Sequence, residues 1–338
     1  MKKNQILTSC FAILCLFLVS CDSDDDFNPV DPGPDPINFE LNGVLESDRI
    51  LDPSQPYSLT GSYIVKAGAT LTIPAGTQII SQVATNNYIA IEKGANIDIQ
   101  GTQSLPVVME SVSGNQGDWG GLVVLGDAVT TEGVNATAEV GGFIYGGTNP
   151  SDSSGSINYL IIKNAGAQIN AESQYNGLTL YAVGSGTSLT NIALLDGADD
   201  GVEFFGGSVS ITNLYAENNQ DDSVDWTEGW NGAITNTYVV HNNDGFSTAI
   251  EADGDNNNPT IINFTAISSV GGTALQFKKM SGATMTNVFL AGYDTNVDMK
   301  DEGPIENIIV DGEAMTDASN NVFNGTAVDI SNWGWVQQ

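Results

Sequence analysis

The chain has 338 residues, enough for one large domain or two ordinary ones. It carries 41 acids against 9 bases, a formal net charge of −32, which argues against nucleic acid as a partner and against direct binding to anionic lipid head groups. All the cysteines, Cys10, Cys15 and Cys21, fall at the N-terminus, so the rest of the chain can form no disulfide, cysteine zinc site or thiol nucleophile.

Lys2 and Lys3 precede a mostly apolar run, Ile6 to Val19. That run is too short to span a bilayer comfortably, which takes about 20 apolar residues. A charged start, an apolar middle and a small residue before the cut describe a secretion signal over residues 1–20. Leu18-Val19-Ser20-Cys21 resembles the bacterial lipobox. The resemblance implies cleavage before Cys21, lipidation of its thiol and acylation of the new amino terminus. The partner is then a membrane, reached through the lipid anchor, because several acyl chains hold stably where one does not. The alternative is a plain signal peptide with a coincidental cysteine. Residues 21–38 are acidic, rich in Pro and Gly and nearly free of apolar side chains, so they read as a disordered tether. Asp22-Ser23-Asp24-Asp25-Asp26 is similar to the acidic signal that follows the lipidated cysteine in surface-exposed lipoproteins of Bacteroidota. That likeness implies the outer membrane, facing outward; a solvated spacer is the other reading.

Residues 39–338 read as one all-β domain. Upstream, Val65, Leu71, Ile73 and Ile79, then Ile89, Ile91, Ile97 and Ile99, then Val107 and Met109 mark strands, with Gly68, Gly76, Gly94 and Gly101 at turns. Gly120-Gly121-Leu122-Val123-Val124 and Gly142-Phe143-Ile144-Tyr145 look like further strands. Residues 129–139, 147–155 and 165–175 are polar and should loop out.

From there a repeat emerges. Leu178, Val202, Val224, Ile250, Leu275 and Val297 each sit second in a short alternating segment, at steps of 24, 22, 26, 25 and 22 residues. A parallel column holds an asparagine: Asn158, Asn191, Asn213, Asn236, Asn263, Asn287 and Asn307. Apolar residues lie two before it and one and three after it, as Leu189, Ile192 and Leu194 do around Asn191. A strand with that spacing must bend at the asparagine, which tolerates the left-handed conformation best after glycine. Stacked coils bring such amides within about 4.8 Å, close enough to form a ladder.

Coils of about 24 residues with short strands and no helical periodicity describe a single-stranded parallel β-helix with an Asn ladder. The pattern resembles right-handed β-helices of the pectin-lyase-like class, from which the hand is taken. As a whole the chain resembles β-helical surface lipoproteins of Bacteroidota, through Asp118-Trp119-Gly120-Gly121-Leu122, Asn176-Gly177-Leu178-Thr179-Leu180-Tyr181, Gly197-Ala198-Asp199-Asp200-Gly201 and Asp221-Asp222-Ser223-Val224-Asp225-Trp226. Asn332-Trp333-Gly334-Trp335 is expected to cap the open end of the solenoid.

The repeat sorts side chains into rows. One outward row is Thr179, Glu203, Asp225, Glu251, Gln276 and Asp298; a second is Tyr181, Phe205, Thr227, Asp253, Lys278 and Lys300. Turns before the strands add Asp199, Asp200, Asp221 and Asp222. Stacked carboxylates about 5 Å apart repel by roughly 0.8 kcal/mol per pair in water and about 3 kcal/mol at a protein surface. Calcium, which takes roughly six to eight oxygens in irregular geometry, would offset this. Its candidate ligands are Asp199, Asp200, Glu203, Asp221, Asp222 and Asp225. The competing reading has the turn aspartates capping backbone N–H groups and the strand acids solvated.

Tyr181, Phe205, Trp230 and Asp253 are candidates for holding a sugar, whereas Trp226 should be core and Trp119 fits either place. Lys278 and Lys300 are the only candidates for a catalytic base, as in polysaccharide lyases of this fold, which hold a uronate with calcium and remove its C5 proton. A lysine among carboxylates is a poor base, and Arg49 is too far upstream to bind the substrate, so a structural ion-pair patch is the competing reading. His241, alone of its kind, reads as structural. The expectation is a surface lipoprotein that binds an extracellular ligand, a glycan by preference, with calcium as the candidate cofactor. The alternatives are a calcium-dependent lyase or hydrolase, and a structural or adhesive partner of an outer-membrane protein.

Overall fold

The computed structural model describes residues 38–171, 173–254, 259–319 and 322–338. The signal segment, Cys21 and the tether through residue 37 lie outside the described residues. Among the described residues no helix is long and apolar enough to cross a membrane.

Among the described residues nearly every strand joins one 23-stranded sheet, parallel except where Ile308–Val310 meets Glu313–Ala314, wound as a right-handed parallel β-helix. In the regular half each coil has a short strand and a long bent one. The short strands are Leu178–Tyr181, Val202–Phe205, Val224–Thr227, Thr248–Ala252, Thr273–Phe277 and Thr295–Met299. The bent strands are Gly155–Lys163, Ser188–Leu195, Ser210–Glu217, Ala233–His241, Thr260–Ser268 and Ala283–Ala291. Their inward residues, among them Leu178, Val202, Ile192, Leu214, Phe264 and Leu275, form one continuous core along the axis.

The bend in each long strand is the expected one. Asn191, Asn213, Asn236, Asn263 and Asn287 all have φ between 54° and 61°. Each amide donates to the asparagine one coil earlier, at 2.8 to 3.0 Å. The ladder differs from expectation at both ends. Leu160 pairs with Ile192 and Asn158 with Thr190, so Tyr159, at φ 51°, occupies the bend and Asn158 precedes it. The Asn158 side chain still accepts from Asn191 and from Thr190, both at 2.8 Å. At the other end Ala283 pairs with Ile308, which leaves Asn307 in a 3-10 turn ahead of the strand, donating to the Met280 carbonyl.

Upstream coils make the same bend with more chain. Asn96–Gln100 and Val107–Ser111 pair with the two limbs of Gly155–Lys163, and residues 101–106 fill the corner between them. A Cβ on Gly101 would meet the Tyr159 carbonyl oxygen at 2.3 Å, so only glycine fits there.

Two further expectations are corrected. Ile144–Tyr145 is no coil strand; it pairs antiparallel with Ala136–Thr137 in a hairpin that leaves the solenoid. The C-terminal segment does not cap the open end with its tryptophans. Phe323 fills the core there, and the chain then runs back along the outside. Thr326 N–H donates to Asn287, Val328 N–H to Thr265, and Trp335 and Val336 pack on Val108, Ile161, Ala193 and Tyr215. The outward limbs of successive coils are apolar there, so the strap gains more by covering this stripe than by closing the end.

Asn213 donates to one neighbour and accepts from the next. Asn213→Ala should cost about 3 kcal/mol, from two lost amide bonds, a stranded partner and a left-handed backbone. Asn213→Gly keeps the backbone and should be milder by about 1 kcal/mol in chemical denaturation. Equal losses would show that the bend carries no strain.

A buried acidic cleft

The two outward rows stack in the register read from the repeat. Thr179 pairs with Glu203, Glu203 with Asp225, Asp225 with Glu251, Glu251 with Gln276 and Gln276 with Asp298. All six candidate metal ligands line one cleft of 340 Å³, together with Glu139, Gln168, Ser173, Gln174, Glu251 and Lys278. Within it Asp199, Asp200 and Asp221 each offer an oxygen within 4.8 Å of the others, and so do Asp200, Glu203 and Asp225. Asp200 belongs to both groups.

The competing account of these acids holds for two of them. Asp200 accepts from the Asp222 backbone N–H at 2.9 Å, and Asp222 accepts from the Thr248 hydroxyl. Both are buried turn residues that cap the coil beside them. The strand acids Glu203 and Asp225 are half-buried and held by the fold, however. Glu203 is held by the Asn176 amide at 2.7 Å. Asp225 Oδ1 is shut off from water with no hydrogen-bond partner, as is Asn176 Oδ1. Burial, then the Asp225 charge, holds both Asp200 and Glu203 well above the carboxylate range. Burial followed by the Asp222 charge does the same to Asp225. Burial pushes Asp199 and Asp222 up to about 7, against a Gln174 amide that donates to Asp199. A dication would fit this set, bringing positive charge to crowded carboxylates and a partner to an orphaned oxygen.

The other candidates fall elsewhere. Lys278 reaches the cleft and forms an ion pair with Glu251, while Lys300 pairs with Asp298 at 2.6 Å outside it. Asp253 pairs with Lys279 at 3.0 Å and does not line the cleft. The aromatic platform does not exist. Tyr181 and Phe205 do point away from the core, but residues 126–147 fold over them, and Val140 and Tyr145 complete a second apolar cluster. Glu228 staples that insertion, accepting from Thr130 at 2.6 Å and from Tyr145 at 2.8 Å. Trp230 turns inward, stacks on Phe204 at 4.1 Å and donates to the Val209 carbonyl. Trp119 and Trp226 are also core.

Sequence reasoning missed Glu139, Gln168, Ser173 and Gln174, which sit on insertions outside the repeat and gave no signal. It could have found Glu251, one coil beyond Asp225 in the same row, and Asn176, which directly precedes a short strand.

A model of the pectate-lyase-like β-helix domain matches residues 43–332, and the chain belongs to that family. No curated protein and no solved structure matches it.

His241 is fully buried, stacked on Phe246 and bonded to Ser223 at 3.0 Å and Tyr293 at 2.9 Å. Burial pushes its pKa down to about 4. The unfolded chain then holds a proton that the folded chain refuses between about pH 4 and the ordinary histidine value, so His241 makes stability rise with pH across that window. In His241→Gln, pH-dependent denaturation should lose on the order of 3 kcal/mol of this acid-side slope. An unchanged slope would mean the imidazole is protonated in the fold.

Proposed function

We propose that the protein is a surface lipoprotein, anchored through Cys21, that binds a divalent cation in the acidic cleft and uses it to hold an extracellular saccharide. The observation that carries this reading is the Asp200, Glu203 and Asp225 cluster, whose oxygens converge within 4.8 Å with Asp225 Oδ1 unpartnered. Calcium suits an all-oxygen site of irregular shape better than magnesium, which demands a near-ideal octahedron, or zinc, which favours nitrogen and sulfur. Asp200, Glu203 and Asp225 would hold the ion, and it would supply positive charge to which sugar hydroxyls or a carboxylate could bind. The anchor and its acidic tether would hold the solenoid away from the membrane.

A second reading is favoured by Lys278, the one cationic side chain among the described residues that lines the cleft. In a lyase it would take the C5 proton of a cation-held uronate as the C4–O bond breaks, giving an unsaturated product. Its ion pair with Glu251 supports a binding role instead, since the carboxylate holds the ammonium in place.

Millimolar calcium should raise the melting temperature by about 5 °C, and Asp225→Asn should abolish most of that rise. A saccharide panel of galacturonate, mannuronate and glucan oligomers should bind in calcium and not in chelator. An unchanged melt in wild type would remove the cation, and absorbance from unsaturated product would replace the binding role with the lyase.

A further inference from the structure

The row that carries Glu203 and Asp225 continues upstream through every coil. Ile64 pairs with Ala90, Ala90 with Val123, Val123 with Thr179 and Thr179 with Glu203. Its character changes along the axis from apolar to acidic, and so does its exposure. Ala90, Val123 and Thr179 are 0% exposed. Two insertions cover them. Ala138, Val140 and Tyr145 come from residues 126–147, and Ala167 and Tyr175 from the excursion just before Asn176. The Glu228 staple and the pairing of Gln168 with Gln174 hold these insertions in place.

Glu203 therefore stands at the foot of a wall. The cleft side of that wall is formed by Glu139, Gln168, Ser173 and Gln174. In the opposite direction Glu251 is buried against Lys278, and the row becomes partly exposed at Gln276 and Asp298, flanked by Lys279 and Lys300. The cleft is walled on the side of the insertions, and past Glu251 and Lys278 the row leaves it and becomes partly exposed. From Asp225 to Asp298 the row spans three coils, or about 14 Å.

We propose that the cleft takes the end of a saccharide chain and not a stretch from its middle, an inference that rests on the saccharide reading above. A chain laid along the row from the open side must stop at the wall. There Gln168 and Ser173 line the wall beside Gln174, whose amide donates to Asp199, and their amide and hydroxyl suit the free hydroxyls of a terminal residue. The remaining residues of the chain lie over Glu251, Gln276 and Asp298, where carboxylates and lysines alternate.

Calorimetric titration in calcium with tri-, hexa- and long-chain members of whichever panel saccharide binds reads this directly. One protein should bind per chain at every length. Blocking one chain terminus with a bulky label should weaken binding by about tenfold or more, while blocking the other should leave it unchanged. A protein-to-chain ratio that grows with length, or indifference to both blocked termini, would overturn chain-end binding while leaving the saccharide reading intact. Calcium binding with no saccharide bound from the panel would overturn both.

Discussion

Parallel, in-register stacking repeats the chemistry of each position up the axis at about 4.8 Å, and that repetition governs this molecule. An amide carries both a donor and an acceptor, so a column of asparagines satisfies itself; Asn191 to Asn287 do so bond by bond. A carboxylate carries only acceptors and a charge. A column of Glu203, Asp225 and Glu251 cannot satisfy itself, and the same geometry that makes the ladder cohesive makes the acidic row repulsive. The fold can keep such a row only with help from outside it. Asn176 supplies an amide to Glu203 and Lys278 an ammonium to Glu251. Between them Asp225 and Asp200 are left crowded, with Asp225 Oδ1 unpartnered, which is the feature on which the proposed cation site rests.

The insertions turn this row into a site. Without residues 126–147 the outward face would be a long strip, apolar over Ala90 and Val123 and acidic from Glu203 onward. Covering the apolar part buries Tyr181 and Phe205 in a second cluster and leaves the acids at the bottom of a cleft with one closed end. Burial raises the pKa of every acid in that cleft whose shift is resolved, because the insertions remove water from one side of it. Packing that serves the solenoid's stability thus also dehydrates the acids of the cleft.

How much of this is legible in the sequence follows from the same repetition. Strand register, the ladder and the vertical order of the acids could be read from residue spacing because each coil restates the rule. The reading failed where a single residue shifts the phase. Tyr159 takes the bend that Asn158 seemed to mark, and a 3-10 turn moves Asn307 out of the column. It failed more fully where the chain leaves the coils. Outwardness was correct for Tyr181 and Phe205, but exposure depends on what folds over a side chain, and residues 126–147 carry no periodicity to announce it. The C-terminal strap was misplaced for that reason too: Trp333 and Trp335 signalled that something apolar would be covered, and only the structure shows that it is the flank of the solenoid.

Carboxylates held above their ordinary range must give up protons to take a cation, so the protons released on calcium binding report the proposed site. Calcium can displace protons only from acids whose pKa lies near or above the working pH. Calorimetry of calcium binding at pH 7, repeated in buffers of different ionisation enthalpy, counts those protons. The account predicts about one proton or more released per ion, because Asp199 and Asp222 sit at about 7 and Asp200, Glu203 and Asp225 higher than their ordinary range. Binding without proton release, or no binding, would contradict it.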